Sequence, residues 1–180
     1  VWMPFFTTFV VFLVGIAAHG VIAERTGIAT DQVMPAFLAA VAVRIAYWVV
    51  VQPHWIPDSD ADQYDKIARS LANGTGYGLQ FPQIVHHPTA FRPPLLPLLL
   101  TPGHWLFGEA LWPGRLLSVI LGSTVVVLAG VLAARIGGRR AGYLAALVVM
   151  FSPPLLANDT ITLTEPLALL LGLAAILLLD

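Results

Sequence analysis

Leu116–Ala134, LLSVILGSTVVVLAGVLAA, carries no charged residue. A run of that length and apolarity reads as a membrane-spanning helix. Arg115 precedes it, and Arg135, Arg139 and Arg140 follow it closely. Working outward, Ala141–Ala157 reads as the next span, ending around Pro153 and Pro154, and Pro166–Leu179 begins another. That last run meets Asp180 short of the ~20 apolar residues a span needs, so the sequence is expected to be the N-terminal part of a longer protein. Towards the N-terminus, Val33–Val51 reads as a span interrupted only by Arg44. Trp2–Ala23 is uncharged and at 1.5 Å per residue reaches roughly 33 Å, too long for a signal-peptide core.

Composition agrees. Hydrophobic residues make up 58% and charged residues 11%, against about 25% charged in a water-soluble chain. A net charge of −1 gives no reason to expect a nucleic-acid partner. Without cysteine there is neither a disulfide framework nor a thiolate metal site. The expected fold is therefore all-α and polytopic, one transmembrane domain over residues 1–180 with a long water-facing loop at 53–115.

Short basic loops stay cytoplasmic, which puts Arg135–Arg140 inside and the 53–115 loop outside. The Glu24–Gln32 segment then falls inside, with Arg25 set against Glu24 and Asp31. Leu95–Phe107 is apolar but short and contains Pro97 and Pro102, so it reads as a helix lying at the interface. His104, Trp105 and Trp112 suit the headgroup level.

Inside the long loop, SDADQYDKIARSLANG (59–74) places Tyr64, Ile67, Ala68 and Leu71 at helical spacing. Ser59 is the expected cap, Asp62 the third helical position, and Asn73–Gly74 the stop. Gly74, Gly76 and Gly78 mark an irregular turn before His86, His87 and FRPPLLP (91–97). Asp58, Asp60, Asp62 and Asp65 cluster at the helix start. Acids suit a helix N-terminus, and they could also supply a base or a metal ligand at the membrane boundary. His86 and His87 could join an aspartate around a metal, or be ordinary loop residues. Arg92 and Arg115 are each open to an anchoring and a phosphate-binding reading, because guanidinium pairs bidentately with phosphate. For Arg44 the default is a side chain that snorkels, with a buried partner as the alternative. Thr164 is a plausible N-cap, with Glu165 and Pro166 in the first turn after it.

The ordered set AVAVRIAYWVVV (40–51), SDADQYDKIARSLANGTGYG (59–78), PTAFRPPLLPLLL (88–100), PGRLLSVILGSTVVVLAGVLAARIGGRRAG (113–142), FSPPLLA (151–157) and LTEPLALLLGLAAILLL (163–179) resembles GT-C glycosyltransferases. The nearest groups are the dolichyl-phosphate-mannose protein mannosyltransferase-like and aminoarabinose–lipid A transferase-like enzymes, over their N-terminal part. The resemblance runs from about Val33 to the end, leaving Trp2–Ala23 as an additional span. It implies transfer of a sugar from a polyprenyl-phosphate donor to a lipid, glycan or protein acceptor on the extracytoplasmic face of the cell membrane. It implies Asp60 as the essential acid of the first external loop, with Tyr64 following it in the D-A-x-x-Y pattern, and Asp58 or Asp62 taking the role if the register slips. Arg92 matches the basic residue before Pro-Pro that contacts the carrier phosphate, with Arg115 as a second donor-phosphate candidate. Glu165 matches an acid at the outer start of a later span. Phe91 stands where lipid A transferases often carry an acid, so a divalent metal is possible but unsupported and no cofactor is assigned. The rival expectation is a non-catalytic polytopic protein, a lipid-binding subunit or a transporter. Arg44 would fit a transport path, although no internal repeat of the kind transporters carry is visible.

Overall fold

The computed structural model describes residues 30–81, 84–88 and 91–179. The first expected span, Trp2–Ala23, lies outside them. Six helices and one strand pair follow in order among the described residues: α1 Thr30–Val51, α2 Ser59–Ala72, β1 Gly78–Phe81, β2 Ile84–Pro88, α3 Leu95–Phe107, α4 Trp112–Met150, α5 Pro153–Asn158 and α6 Glu165–Leu179. Two stretches are long and apolar enough to cross a membrane, Val33–Val51 and Trp112–Met150; α3 and α6 are shorter apolar helices.

α4 is two helices joined by a reversal. Gly138, at φ 78° and ψ 178°, occupies a backbone region open essentially to glycine alone. The limb after it folds back against the limb before it. A β-carbon on Gly142 would stand 2.8 Å from the Gly130 carbonyl oxygen and 2.7 Å from the Ala134 β-carbon. Small residues thus let two apolar backbones approach closely. The short basic loop expected between two spans is this turn, with Arg135, Arg139 and Arg140 around it.

The following span, read over Ala141–Ala157 with its end around Pro153 and Pro154, does end at those prolines. Helix α4 stops at Met150 and α5 starts at Pro153. Pro153 pushes the residue before it out of the helical region, and Ser152 is extended at φ −67°, ψ 116°. Pro153 and Pro154 also lack the N–H donors that would carry the hydrogen-bond ladder across the junction.

Helices α1 and α6 both pack along α4. At one end Val33, Ala36 and Phe37 of α1 meet Val127, Leu128 and Val131 of α4 and Leu177 of α6. Arg135 donates to the Leu177 carbonyl at 3.1 Å at that end. Further along, Ala40, Val126 and Met150 form a second cluster. At the opposite end, α2 and α3 form a layer over α4 and α6, where Tyr64, Ala68, Leu96, Leu100 and Leu167 pack with Leu117 and Leu121. The acids and Arg92 belong to this layer, at the other end of the bundle from the Gly138 turn.

Arg44 does not snorkel. It is fully buried, and its Nε and Nη2 donate to Asp159 Oδ2 at 2.8 and 2.5 Å. The carboxylate fits because α4 has no side chain at Gly122, where a β-carbon would stand 2.2 Å from Asp159 Oδ2. Arg44 thus takes the buried-partner option, and Asp159 is a partner that the sequence reading did not name.

An all-helical reading also missed the hairpin. Strands β1 and β2 pair antiparallel, Gly78 with Pro88 and Leu79 with His87, with an irregularity before Phe81–Ile84. At so short a length the Gly-rich approach and Pro82 give no clear strand alternation.

Candidate active site at the α2–α3 layer

Helix α2 supplies one face of the site. Residues three and four apart share a helix face, so Asp60, Gln63 and Tyr64 lie together. The helix opens at Asp58, which is extended (φ −133°, ψ 167°) and whose carbonyl accepts the Asp62 N–H at 3.2 Å. The expected Ser59 cap is therefore corrected: Ser59 is the first helical residue, at φ 48°, and no side chain caps this end. Asp62 is accordingly fourth, not third. Both Asp58 and Ser59 are exposed, so water can satisfy the open N–H groups. The other end closes as read, with a Schellman motif: Thr75 N–H bonds the Ser70 carbonyl at 3.0 Å, Gly74 N–H bonds the Leu71 carbonyl at 3.1 Å, and Gly74 supplies φ 74°.

The hairpin then returns the chain so that 91–94 lies beside α2. Tyr77 Oη donates to the Arg92 carbonyl at 2.7 Å. Burial raises the Tyr77 hydroxyl above its usual 10, with the neighbouring Tyr64 adding to the shift, so it stays a donor. The Arg92 guanidinium sits 5.4 Å from the Tyr64 ring and 4.7 Å from the Phe91 ring. Its Nε donates to Gln63 Oε1 at 3.0 Å, and its Nη2 donates to Asp60 Oδ1. The hydrogen bond to Asp60 is the main reason its pKa rises above the ordinary arginine value. Pro93 and Pro94 end the segment, and α3 begins at Leu95 with Leu96 and Leu100 seated on Tyr64 and Ala68.

Asp60, Tyr64 and Arg92 thus come together. The other candidates are placed differently. Asp58 is exposed. Asp62 pairs with Lys66 at 2.6 Å on the solvated side, an i,i+4 pair of the kind that contributes a few tenths of a kcal/mol. Arg115 is buried, its Nε donating to the Thr160 carbonyl and its Nη2 to the Gln52 carbonyl, both at 2.8 Å. Its guanidinium lies over Trp48 at 4.4 Å and Trp55 at 5.6 Å. These contacts tie the end of α1 to the loop before α6. Glu165 is exposed at the first turn of α6, two residues before Leu167, which packs in the Tyr64 cluster. Thr164 stands at the cap position, its carbonyl accepting the Ala168 N–H at 2.8 Å. The backbone of His86 and His87 is in β2. Among the described residues no group of three or more histidine, aspartate or glutamate side chains is arranged to hold a metal ion. Gln63 was missed, although its i+3 spacing from Asp60 was the available signal.

Behind the site, Asp65 holds α2 to α3. It accepts from Arg69 at 2.6 Å and lies 3.1 Å from His104 Nε2, while His104 Nδ1 is 2.8 Å from the Gly108 carbonyl oxygen. Arg69 also pairs with Glu109 at 2.5 Å. Both imidazole nitrogens face acceptors, which only the imidazolium satisfies. Burial opposes that charge most, but the Asp65 hydrogen bond, the Gly108 carbonyl and the Asp65 charge together outweigh it and the nearby Arg69. The His104 pKa is raised above 6.5. A raised folded-state pKa means the folded state binds the proton more tightly. The contribution is complete below about pH 6.5 and disappears as pH rises through the folded-state value. Thermal unfolding of wild type should therefore lose stability relative to His104→Gln on crossing that window. Parallel pH profiles for the two proteins would rule this out.

Residues 91–179 match the family described as dolichyl-phosphate-mannose-protein mannosyltransferase. The chain is GT-C mannosyltransferase-like. The match opens at Phe91 and so takes in Arg92, Arg115 and Glu165, while Asp60 and Tyr64 lie ahead of it. No curated protein and no solved structure matched the chain. A membrane glycosyltransferase of the GT-C type accords with its helical architecture and its apolar helices. In this mannosyltransferase-like chain, the start of the family match is anchored through Arg92 to the preceding α2.

Proposed function

We propose that the protein transfers a sugar from a polyprenyl-phosphate donor to an acceptor hydroxyl, with inversion, at the extracytoplasmic face of the membrane. The observation that carries the reading is the pairing of Asp60 with Arg92 across the α2–α3 layer. As the acceptor oxygen attacks the anomeric carbon, Asp60 takes its proton. The bond from that carbon to the phosphate oxygen breaks, and the carrier phosphate leaves with the electron pair. Arg92 holds that phosphate where charge develops, and Tyr64 lines the floor. A phosphate on another edge of the guanidinium shares its positive charge with Asp60, which weakens that pair and leaves the carboxylate available as base. Asp58, Asp62, Arg115 and Glu165 have lesser parts: Glu165 borders the same layer, and Arg115 supports it from below. The transporter reading drew on Arg44, and the Asp159 pair gives that residue a structural role instead.

Arg92→Ala should weaken donor use far more than Arg92→Lys, since lysine keeps the charge but loses the planar fork. Donor KM in membranes containing the full-length protein measures this. Equal kinetics in wild type and Arg92→Ala would leave only a structural role.

For orientation, the Gly138 turn faces the cytoplasm and α2 faces outside. The chain has no cysteine, so single cysteines report cleanly. Asn73→Cys should react with an impermeant thiol reagent on intact cells and Arg140→Cys should not; Gly138 is avoided because its backbone is strained for other residues. The reverse labelling pattern would invert the topology.

A further inference from the structure

We propose that Gln63 is a positioning residue that fixes which edge of the Arg92 guanidinium meets the donor phosphate. The inference rests on the reading of Arg92 as a phosphate ligand. Nε–H and one Nη2–H of a guanidinium point side by side along one edge of its plane, and Nη1 with the second Nη2–H forms another. In this chain the first edge is occupied by Gln63 Oε1 on Nε, at 3.0 Å, and by Asp60 on Nη2. The Tyr64 side chain is a further hydrogen-bond partner of the group, and with Nε and Nη2 engaged by Gln63 and Asp60 the edge that includes Nη1 is the one assigned to the donor phosphate.

One contact at Nη2 would let the guanidinium pivot about it. The second contact, at Nε, sets the plane. Tyr64 and Phe91 rings pack against the group and restrict its tilt. The chemistry of position 63 suits this role. A neutral amide oxygen anchors Nε without adding a negative charge that would compete with a phosphate, as a second carboxylate would. Asp60 cannot anchor permanently, because its carboxylate must be released for proton transfer. Gln63 therefore keeps the arginine oriented through the step in which Asp60 lets go. The spacing is dictated by the helix: positions 60 and 63 are one turn apart on the same face.

The test measures binding of polyprenyl phosphate, without sugar, to the full-length protein in lipid nanodiscs. Gln63→Leu should weaken binding about tenfold, the scale of one hydrogen bond to a charged group. Gln63→Met, which keeps the length and helix propensity, should do the same and stands in if the leucine variant does not fold. In an Arg92→Lys background, Gln63→Leu should change binding by less than about twofold, because an ammonium is a point charge with no edge to orient. Wild-type affinity in the Gln63 variants overturns the inference. So does an equal loss in both backgrounds, which is what a merely structural role predicts. Unchanged affinity in Arg92→Ala removes the phosphate reading itself, whereas a loss in Arg92→Ala without one in Gln63→Leu removes the positioning role alone.

Discussion

Asp60→Asn in the full-length protein is expected to reduce transfer by roughly 10²–10⁴-fold, the usual contribution of a positioned base. An acceptor hydroxyl is a poor nucleophile until its proton is taken, and an amide cannot take it. The fold should survive. Asparagine is nearly isosteric, and the α2 N-terminus uses no side-chain cap that the change could remove. Donor affinity should hold or rise, because an amide competes less than a carboxylate for Arg92. Loss of turnover with intact donor binding is a combination that helix destabilisation does not produce. Asp58→Asn and Asp62→Asn are the register controls, one exposed and one paired with Lys66. If one of them collapses while Asp60→Asn turns over normally, the base moves to that residue. Normal turnover in all three takes the chemistry out of this helix.

The largest loss of stability is expected at the Arg44–Asp159 pair. Removing one partner leaves the other buried and uncompensated, at a cost of ~3–5 kcal/mol. Arg44→Ala and Asp159→Ala should each lower the thermal transition in detergent steeply. Replacing both, as Arg44→Met with Asp159→Leu, should recover much of the loss, since an apolar pair of similar volume carries no desolvation penalty. The Gly122 side of the slot limits this recovery, because the new leucine must fit where Asp159 now lies against bare backbone. Single variants as stable as wild type would show that the pair is solvated.

Much of the architecture was legible in local patterns. Apolar runs, one interrupted only by Arg44 and one uncharged, identified α1 and the first limb of α4, the helical spacing of Tyr64, Ile67, Ala68 and Leu71 identified α2, and Asn73–Gly74 identified its end. These depend on interactions within a few residues of chain, which composition and spacing report directly. The break at Ser152–Pro153 was also encoded locally, in the Pro153–Pro154 pair that marked the end of the span. The Asp58 start of α2 escaped because several adjacent residues could each take the cap position.

The site was legible only in outline. The resemblance to GT-C enzymes singled out Asp60, Tyr64 and Arg92, and the structure brings these three together. Sequence by itself determined that the chain is apolar and helical, with one acid-rich amphipathic helix and a basic turn at the far end, because hydropathy and helical period are properties of neighbouring residues. Only the tertiary structure decided that Arg44 pairs with Asp159 rather than snorkelling, that Arg115 is spent on two carbonyls and two tryptophan rings, and that Gln63 holds Arg92. Each of those choices depends on partners brought from distant parts of the chain, and a buried charge takes whichever partner packing delivers to it.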